Sequence, residues 1–420
     1  MYQYIIEGRQ TLNGEISAFG DKNTALKLIP STILTDGICT ISNVPDITDI
    51  RTMFQIMEKL GTKIKEIEPG TYEFDNSQIN STAIDAGLAP KLRASTVLMG
   101  PLLARFKEVA IPHPGGCIIG KRPIDIHLEA FEKLGGQITV NQESYHITTP
   151  RLTGTKIVPP LISVTGTENI MMAAALAEGT TIIEFAACEP SIIALGDFIN
   201  SRGGKISGHG SPRIIIEGVP QLGEGQARVI PDRIEAGTFI ILGALCGGEI
   251  TVKDCQPEHL EVVLDTLRRV GVEFDRQPTA IKVKHSPQLK ARNMTTNPYP
   301  GFPTDLQAPF TLLMTQAEGL CMIHETIFEG RLNYTEWLNK MGANIINCDP
   351  HRAIVHGPTQ LHGSKIISPD IRAGITMVMA ALLADGRSQI DNIDLVDRGY
   401  ADLDNRLTAL GASITRNHIK

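Results

Sequence analysis

MEKLGTKIKEI (57–67) and FEKLGGQITV (131–140) share one pattern: an amphipathic run, a small glycine punctuation, then a strand-like alternation. The pattern returns as NSRGGKISG (200–208), LRRVGVEFD (267–275), NKMGANIIN (339–347) and TALGASITR (408–416). Its glycines, at 61, 135, 203, 271, 342 and 411, lie 68 to 74 residues apart, so six units fill the 420-residue chain. Each glycine stands where a helix ends and a strand begins, the left-handed position that glycine fills without steric cost.

A second signal precedes most of them by about 30 residues: LTDGICTI (34–41), LAEGTTII (176–183), CGGEITV (246–252), AEGLCMI (317–323) and LADGRSQI (383–390). The unit therefore reads strand–helix–strand–helix–strand–strand. In the first copy these are EISA (15–18), KNTALKLIPSTILT (22–35), ICTIS (38–42), DIRTMFQIMEKL (49–60), TKIKEI (62–67) and TYEFD (71–75). Such alternation implies α/β sheets covered by helices.

The tails show how the units close. IIIEGVPQL (214–222) and AIVHGPTQL (353–361) end two units, the sixth unit lacks that strand, and YIIEGRQTL (4–12) supplies it. Residues 21–230 are expected to form one three-unit domain, carrying the loop around Cys117. Residues 1–20 with 231–420 form the second, with the active site in the cleft between them and hinge strands near Gly20 and Pro231.

Composition excludes several classes. A net charge of −7 gives no support to a general nucleic-acid or anionic-membrane binder. No apolar run approaches the roughly 20 residues that span a bilayer. The start, MYQYIIEGRQTLNGE, has no basic region followed by an apolar one, so a cytoplasmic location is expected. Seven scattered cysteines without C-x-x-C spacing speak against zinc, iron–sulfur clusters and a disulfide framework.

Polar residues gather where the first helix of each unit begins: FGDKNTA (19–25), APKLRAS (89–95), SVTGTEN (163–169), IPDRIEAG (230–237), FPTDLQAP (302–309) and SPDIRAG (368–374). Asp232, Asp305 and Asp370 suit helix capping. Lys22, Arg93, Arg233 and Arg372 oppose the positive end of the helix dipole, and four such cations at equivalent places favour an anion-binding cleft. HPGGCIIGKRPIDIH (113–127) breaks the rhythm. Gly115 to Lys121 nearly forms a phosphate-binding loop, but Arg122 stands where the magnesium-binding hydroxyl belongs. A cysteine beside Lys121 and Arg122 suits a lowered thiol pKa and reactivity. HETIF (324–328) lacks the second histidine of a zinc protease.

The chain resembles the UDP-N-acetylglucosamine 1-carboxyvinyltransferase (MurA) family of enolpyruvyl transferases from Ile5 to about Ala412. The pieces that carry the resemblance include D-K-N (21–23), K-L-R-A-S (91–95), P-G-G-C-x-I-G-x-R-P-x-D-x-H (114–127), N-I-M-M-A-A (169–174), P-D-R-I-E-A-G-T-F (231–239), F-P-T-D-x-Q-A (302–308), E-x-R (329–331), D-I-R-A (370–373) and D-R-G-Y (397–400). The related shikimate-pathway transferase shares the six-unit fold but lacks the cysteine loop.

The resemblance implies two inside-out α/β domains. It implies transfer of enolpyruvyl from phosphoenolpyruvate to the 3′-hydroxyl of UDP-N-acetylglucosamine, with release of phosphate through a tetrahedral intermediate. That is the first committed step of peptidoglycan synthesis, with the roles in cell-wall biogenesis, cell shape and cell division that follow from it. No metal or organic cofactor is implied, and the partners are the two small-molecule substrates of a monomer.

Carried over by position, Cys117 is the proton donor, open to an epoxide phosphonate such as fosfomycin, and Asp305 is the base. Lys22, Asn23, Arg122 and Arg398 clamp phosphoenolpyruvate. Arg93, Arg122, Pro123, Ile124, Asp125, Ile126, His127, Ser163, Val164, Thr165, Asp305 and Ile327 hold the UDP-sugar, while Arg331, Asp370 and Arg372 line the cleft. Some positions depart from the family. S-V-G-A-T is common where this chain has S-V-T-G-T, a basic residue where Leu161 stands, arginine at Cys188 and aspartate at Ala194. Two alternatives remain open: transfer of enolpyruvyl to a free nucleotide such as UMP, and a non-catalytic UDP-sugar binder.

Overall fold

The computed structural model describes residues 2–113 and 124–418. All six punctuating glycines adopt the left-handed conformation, with φ between 98° and 110°. They close the second helix of each unit: α2 (Thr48–Leu60), α4 (Asp125–Lys133), α6 (Pro190–Ser201), α8 (Glu261–Val270), α10 (Thr335–Lys340) and α12 (Leu403–Ala409). At Gly61 the turn satisfies the last carbonyls, with Gly61 N donating to Glu58 O at 3.0 Å and Thr62 N to Met57 O at 3.0 Å.

The first helices are α1 (Lys22–Ser31), α3 (Met99–Phe106), α5 (Val164–Ala174), α7 (Arg233–Leu245), α9 (Gln307–Thr315) and α11 (Ile371–Leu383). They are of another kind. α8 buries only Val263, Leu264, Leu267 and Val270, a single stripe. α7 buries every residue from Ile234 to Leu245, and α9 every residue it has. A helix apolar all round has to be surrounded, so these six form the interiors and the sheets lie outside them.

By its internal contacts the chain falls into two compact units. Of the described residues, the C-terminal unit takes those up to Phe19 together with those from Pro231 onward, and the N-terminal unit takes those between Gly20 and Ile230. In the C-terminal unit, strand Tyr2–Glu7 lies between Arg387–Asp391 and Ser413–His418, antiparallel to both, with Ile6 opposite Ser388 and Ile414. Its core joins Tyr4 and Ile6 to Phe239, Phe310, Met377 and Val378. In the N-terminal unit, Leu26, Ile29, Leu102, Met171, Met172 and Ile199 are buried.

One strand assignment is corrected. The stretch EISA reads as the leading strand of the first copy, yet Gly14–Ser17 runs parallel to Glu249–Lys253 in the fourth copy's sheet. The first copy's sheet instead takes Gly225–Arg228, parallel to Ile38–Ser42. The two leading strands are exchanged because the chain passes between units just after the first and just after the second. Each strand stays with the unit it leaves. Flanking hydrogen bonds fix both passages: Asp21 N to Ile230 O at 2.7 Å, and Asp232 N to Phe19 O at 2.8 Å. Among the described residues, no helix is long and apolar enough to cross a membrane.

Candidate active site

In the C-terminal unit the starts of α7, α9 and α11 carry three aspartates, and two of them are caps. Asp232 accepts from Ile234 N and Glu235 N at 2.7 and 3.0 Å, and Asp370 accepts from Arg372 N and Ala373 N at the same distances. Asp305 is not a cap. It sits in the 3-10 turn Thr304–Leu306 ahead of α9, and the cap position falls to Leu306, which has no capping side chain.

Both Asp305 oxygens accept from guanidinium groups instead. Arg331 Nη2 donates to Oδ1, while Arg372 donates to Oδ2 through Nε at 3.0 Å and lies 2.9 Å away through Nη2. The carboxylate side chain is 26% exposed and the two arginines 5% and 7%, so the cations are buried behind a carboxylate at the open edge.

The support continues inward. Arg372 Nη1 donates to Tyr400 Oη at 3.4 Å. Thr238 Oγ1 gives its proton to Ile234 O at 2.8 Å, so at 3.1 Å it accepts the Tyr400 proton. Burial works against the Arg372 charge, but Asp305, Tyr400 and Asp232 outweigh it and hold its proton more tightly than usual. Burial pushes the Tyr400 phenol up to about 12. Thr238, Asp305 and Arg372 thus tie the starts of α7, α9 and α11 together.

Glu325 was missed in the sequence, where it appears only as part of an incomplete zinc motif. It is fully buried. Thr304 Oγ1 donates to its Oε2 at 2.8 Å, and Ile327 N and Phe328 N donate to Oε1 at 2.8 and 3.1 Å. One carboxylate therefore fastens the segment carrying Asp305 to the segment carrying Ile327. Arg398 is half-buried in the turn that follows the 3-10 helix Ile393–Leu395.

In the N-terminal unit, Asp21 caps α1 by accepting from Thr24 N at 2.7 Å. The cation that follows it, against the dipole, has a reason. Lys22 Nζ lies 2.6 Å from Asp49 Oδ2 in the first turn of α2, and both side chains are nearly buried. Asp49 too was missed, since an aspartate in a first turn reads as dipole compensation. Asn23 and Arg93 are half-buried, Arg93 at the start of the 3-10 segment Arg93–Leu98 that leads into α3.

Ser163 caps α5 through Gly166 N at 3.1 Å. The glycine of S-V-T-G-T has a steric role, because a Cβ at Gly166 would stand 2.9 Å from Ile126 Cγ2 and from Ser163 Oγ. Ile124 is buried, Asp125 exposed and Ile126 half-buried. His127 is 3% exposed. Burial, helped by the Arg93 charge, pulls its pKa down to about 4, so it is neutral at pH 7. Its Nε2 lies 3.4 Å from Thr165 Oγ1 and its Nδ1 2.8 Å from Asn169 Nδ2. Cys117, Arg122 and Pro123 lie outside the described residues.

Comparison with known proteins gives this arrangement a context. The family model for EPSP synthase (3-phosphoshikimate 1-carboxyvinyltransferase) matches residues 6–407. A UDP-N-acetylglucosamine 1-carboxyvinyltransferase of Desulfosudis oleivorans is 42% identical over 416 residues, covering 99% of each chain. A Bacillus cereus protein named UDP-N-acetylglucosamine 1-carboxyvinyltransferase 2 is 42% identical over 419 residues, covering 100% of this chain and 97% of its own. Among solved structures, the enolpyruvyl transferase NikO from Streptomyces tendae superposes with a TM-score of 0.90 at 22% identity, covering 100% of this chain and 99% of that one. EPSP synthase from Acinetobacter baumannii superposes at 0.78 and 18%, with full coverage of both. These two likenesses establish the fold.

Proposed function

The chain belongs to the UDP-N-acetylglucosamine 1-carboxyvinyltransferase family, and on that premise we propose that it transfers enolpyruvyl from phosphoenolpyruvate to the 3′-hydroxyl of UDP-N-acetylglucosamine, opening peptidoglycan synthesis in the cytoplasm as a monomer. The sugar oxygen adds to C2 of phosphoenolpyruvate while C3 gains a proton. The tetrahedral intermediate then loses a proton from C3 and expels inorganic phosphate, which leaves the enolpyruvyl ether.

Cys117 delivers the proton to C3, and Asp305 takes the proton of the 3′-hydroxyl. Lys22, Asn23, Arg122 and Arg398 hold the phosphate and carboxylate of phosphoenolpyruvate. Arg93, residues 123–126, Ser163, Val164, Thr165 and Ile327 hold the UDP-sugar. The observation that carries this reading is the Asp305 carboxylate, released from capping and gripped at both oxygens by Arg331 and Arg372.

A carboxylate so gripped is a poor base. An anionic substrate that draws one guanidinium to itself leaves Asp305 with a free lone pair, which couples base strength to substrate binding. Arg331 and Arg372 supply that exchange, and Asp370 lines the cleft beside them. The relatives at 42% identity favour UDP-N-acetylglucosamine over a free nucleotide. Phosphate release from phosphoenolpyruvate is the test, first with UDP-N-acetylglucosamine and then with UMP. Turnover with the first alone is expected, and turnover with UMP alone overturns the reading.

A further inference from the structure

The Asn169 side chain is completely buried, and its orientation is dictated by two backbone groups. Gly100 N donates to Oδ1 at 2.8 Å, and Nδ2 donates to Thr96 O at 2.8 Å. Gly100 makes this approach available, because a Cβ there would stand 2.6 Å from Asn169 O and 2.7 Å from Oδ1. Reversing the amide would set nitrogen against an N–H and oxygen against a carbonyl. The second proton of Nδ2 is therefore aimed at His127 Nδ1, 2.8 Å away.

An amide nitrogen donates and does not accept, so Nδ1 must be the unprotonated nitrogen of the ring. A neutral imidazole then carries its proton on Nε2. The depressed pKa of His127 agrees, since an imidazolium would set two donors against each other. The Nε2 proton meets Thr165 Oγ1 at 3.4 Å, so the hydroxyl oxygen acts as acceptor on that side and its own proton is left to donate elsewhere.

Thr165 is half-buried in the first turn of α5, where helix geometry gives the leading N–H groups no intrahelical acceptor. Each of these features favours an anion: a hydroxyl proton, the positive end of an eleven-residue helix, and the Arg93 charge felt at His127.

We propose that Asn169 and His127 are positioning residues that turn the Thr165 hydroxyl proton toward a phosphate oxygen of the sugar nucleotide. This inference rests on the reading of the sugar-nucleotide site given above.

The test has two arms. In the ligand-free protein, ¹⁵N NMR of the histidine rings should show His127 at pH 7 with Nδ1 bare and Nε2 protonated. A ring protonated at Nδ1 overturns the proposal whatever the protein catalyses. In the phosphate-release assay, Thr165→Val should raise KM for UDP-N-acetylglucosamine roughly tenfold, the effect of a lost hydrogen bond to a charged group. KM for phosphoenolpyruvate should stay within about twofold, and Thr165→Ser should restore the wild-type value. An unchanged sugar-nucleotide KM in Thr165→Val overturns the donor role. If the wild-type protein releases no phosphate with either substrate pair, it is the functional reading that fails, and the NMR arm still decides the tautomer.

Discussion

The two units use the same repeat to opposite electrostatic ends. In the C-terminal unit, the starts of α7, α9 and α11 are joined by charges: Asp305 between Arg331 and Arg372, with Tyr400 and Thr238 behind. In the N-terminal unit, the starts of α3 and α5 are joined by a neutral network of Asn169, His127 and the Thr96 and Gly100 backbone. Two buried charged pairs there lie along α1, Lys22 with Asp49 at its start and Lys27 with Glu168 deeper in. A charged junction can exchange partners when an anion arrives, whereas an amide junction holds a fixed set of donors. The first suits proton transfer and the second suits recognition.

The largest expected effect tests the charged junction. Asp305→Asn keeps the shape but leaves one acceptor oxygen where two face guanidinium groups, and it cannot take a proton. Turnover should fall at least about a hundredfold with near-normal sugar-nucleotide binding, while the melting temperature drops because Arg331 and Arg372 lose their counter-charge. A variant that turns over at close to the wild-type rate would reduce the junction to a structural knot and erase the contrast.

Asp49→Asn tests whether the N-terminal unit also depends on a buried charge. Removing one partner of a buried pair leaves the other uncompensated. KM for phosphoenolpyruvate should rise about tenfold, the effect of losing a charge-assisted hydrogen bond, and the melting temperature should drop. If only the melting temperature moves, Lys22 is a structural cation. Tyr400→Phe should act more weakly, lowering kcat about fivefold as Arg372 loses one anchor worth about 1 kcal/mol. Thr238→Val, which removes only the group behind Tyr400, should act less still, and the reverse ranking would break the proposed order of support.

The repeat was legible because each unit needs a left-handed residue at one place, and glycine fills it six times. The return of the N-terminal strand was legible from its matching tail. The exchange of Gly14–Ser17 and Gly225–Arg228 was not, since parallel strands pair across long stretches of chain and carry no local mark. The aspartates at helix starts were visible as a set, but the cap and the non-cap differ only by a 3-10 turn that shifts Asp305 off the cap position. The contacts of Glu325 with Thr304 and of Asp49 with Lys22 span 21 and 27 positions, beyond any spacing rule. The cysteines sort more simply. Burial raises the thiol pKa of Cys39, Cys188, Cys246, Cys255 and Cys321, so alkylation should favour Cys117, with the exposed Cys348 as its competitor.

The smallest expected effect concerns the buried pair of the N-terminal unit. Glu168 is fully buried, with Lys27 Nζ 3.6 Å from Oε2 and Ser191 Oγ donating to Oε1 at 3.2 Å. Burial pushes its pKa up to about 7. The attraction of Lys27 and the Ser191 hydrogen bond offset that only in part, and Glu189 adds to the rise. The unfolded chain releases this proton near 4.5, the ordinary value for a glutamate. Between those two values the folded protein binds a proton that the unfolded chain has lost, so stability falls with rising pH across that window. The contribution is complete below about 4.5 and gone above about 7. Glu168→Gln removes the titration, so the variant's own stability carries no contribution from this group over the same range. The stability of the variant relative to wild type should therefore improve from pH 5 to pH 7.5, by on the order of 2 kcal/mol. Urea midpoints at the two pH values measure it. A difference that stays flat, or that moves toward the wild type, would mean that Glu168 is ionised throughout and that its pairing with Lys27 is as strong a charge junction as the one at Asp305.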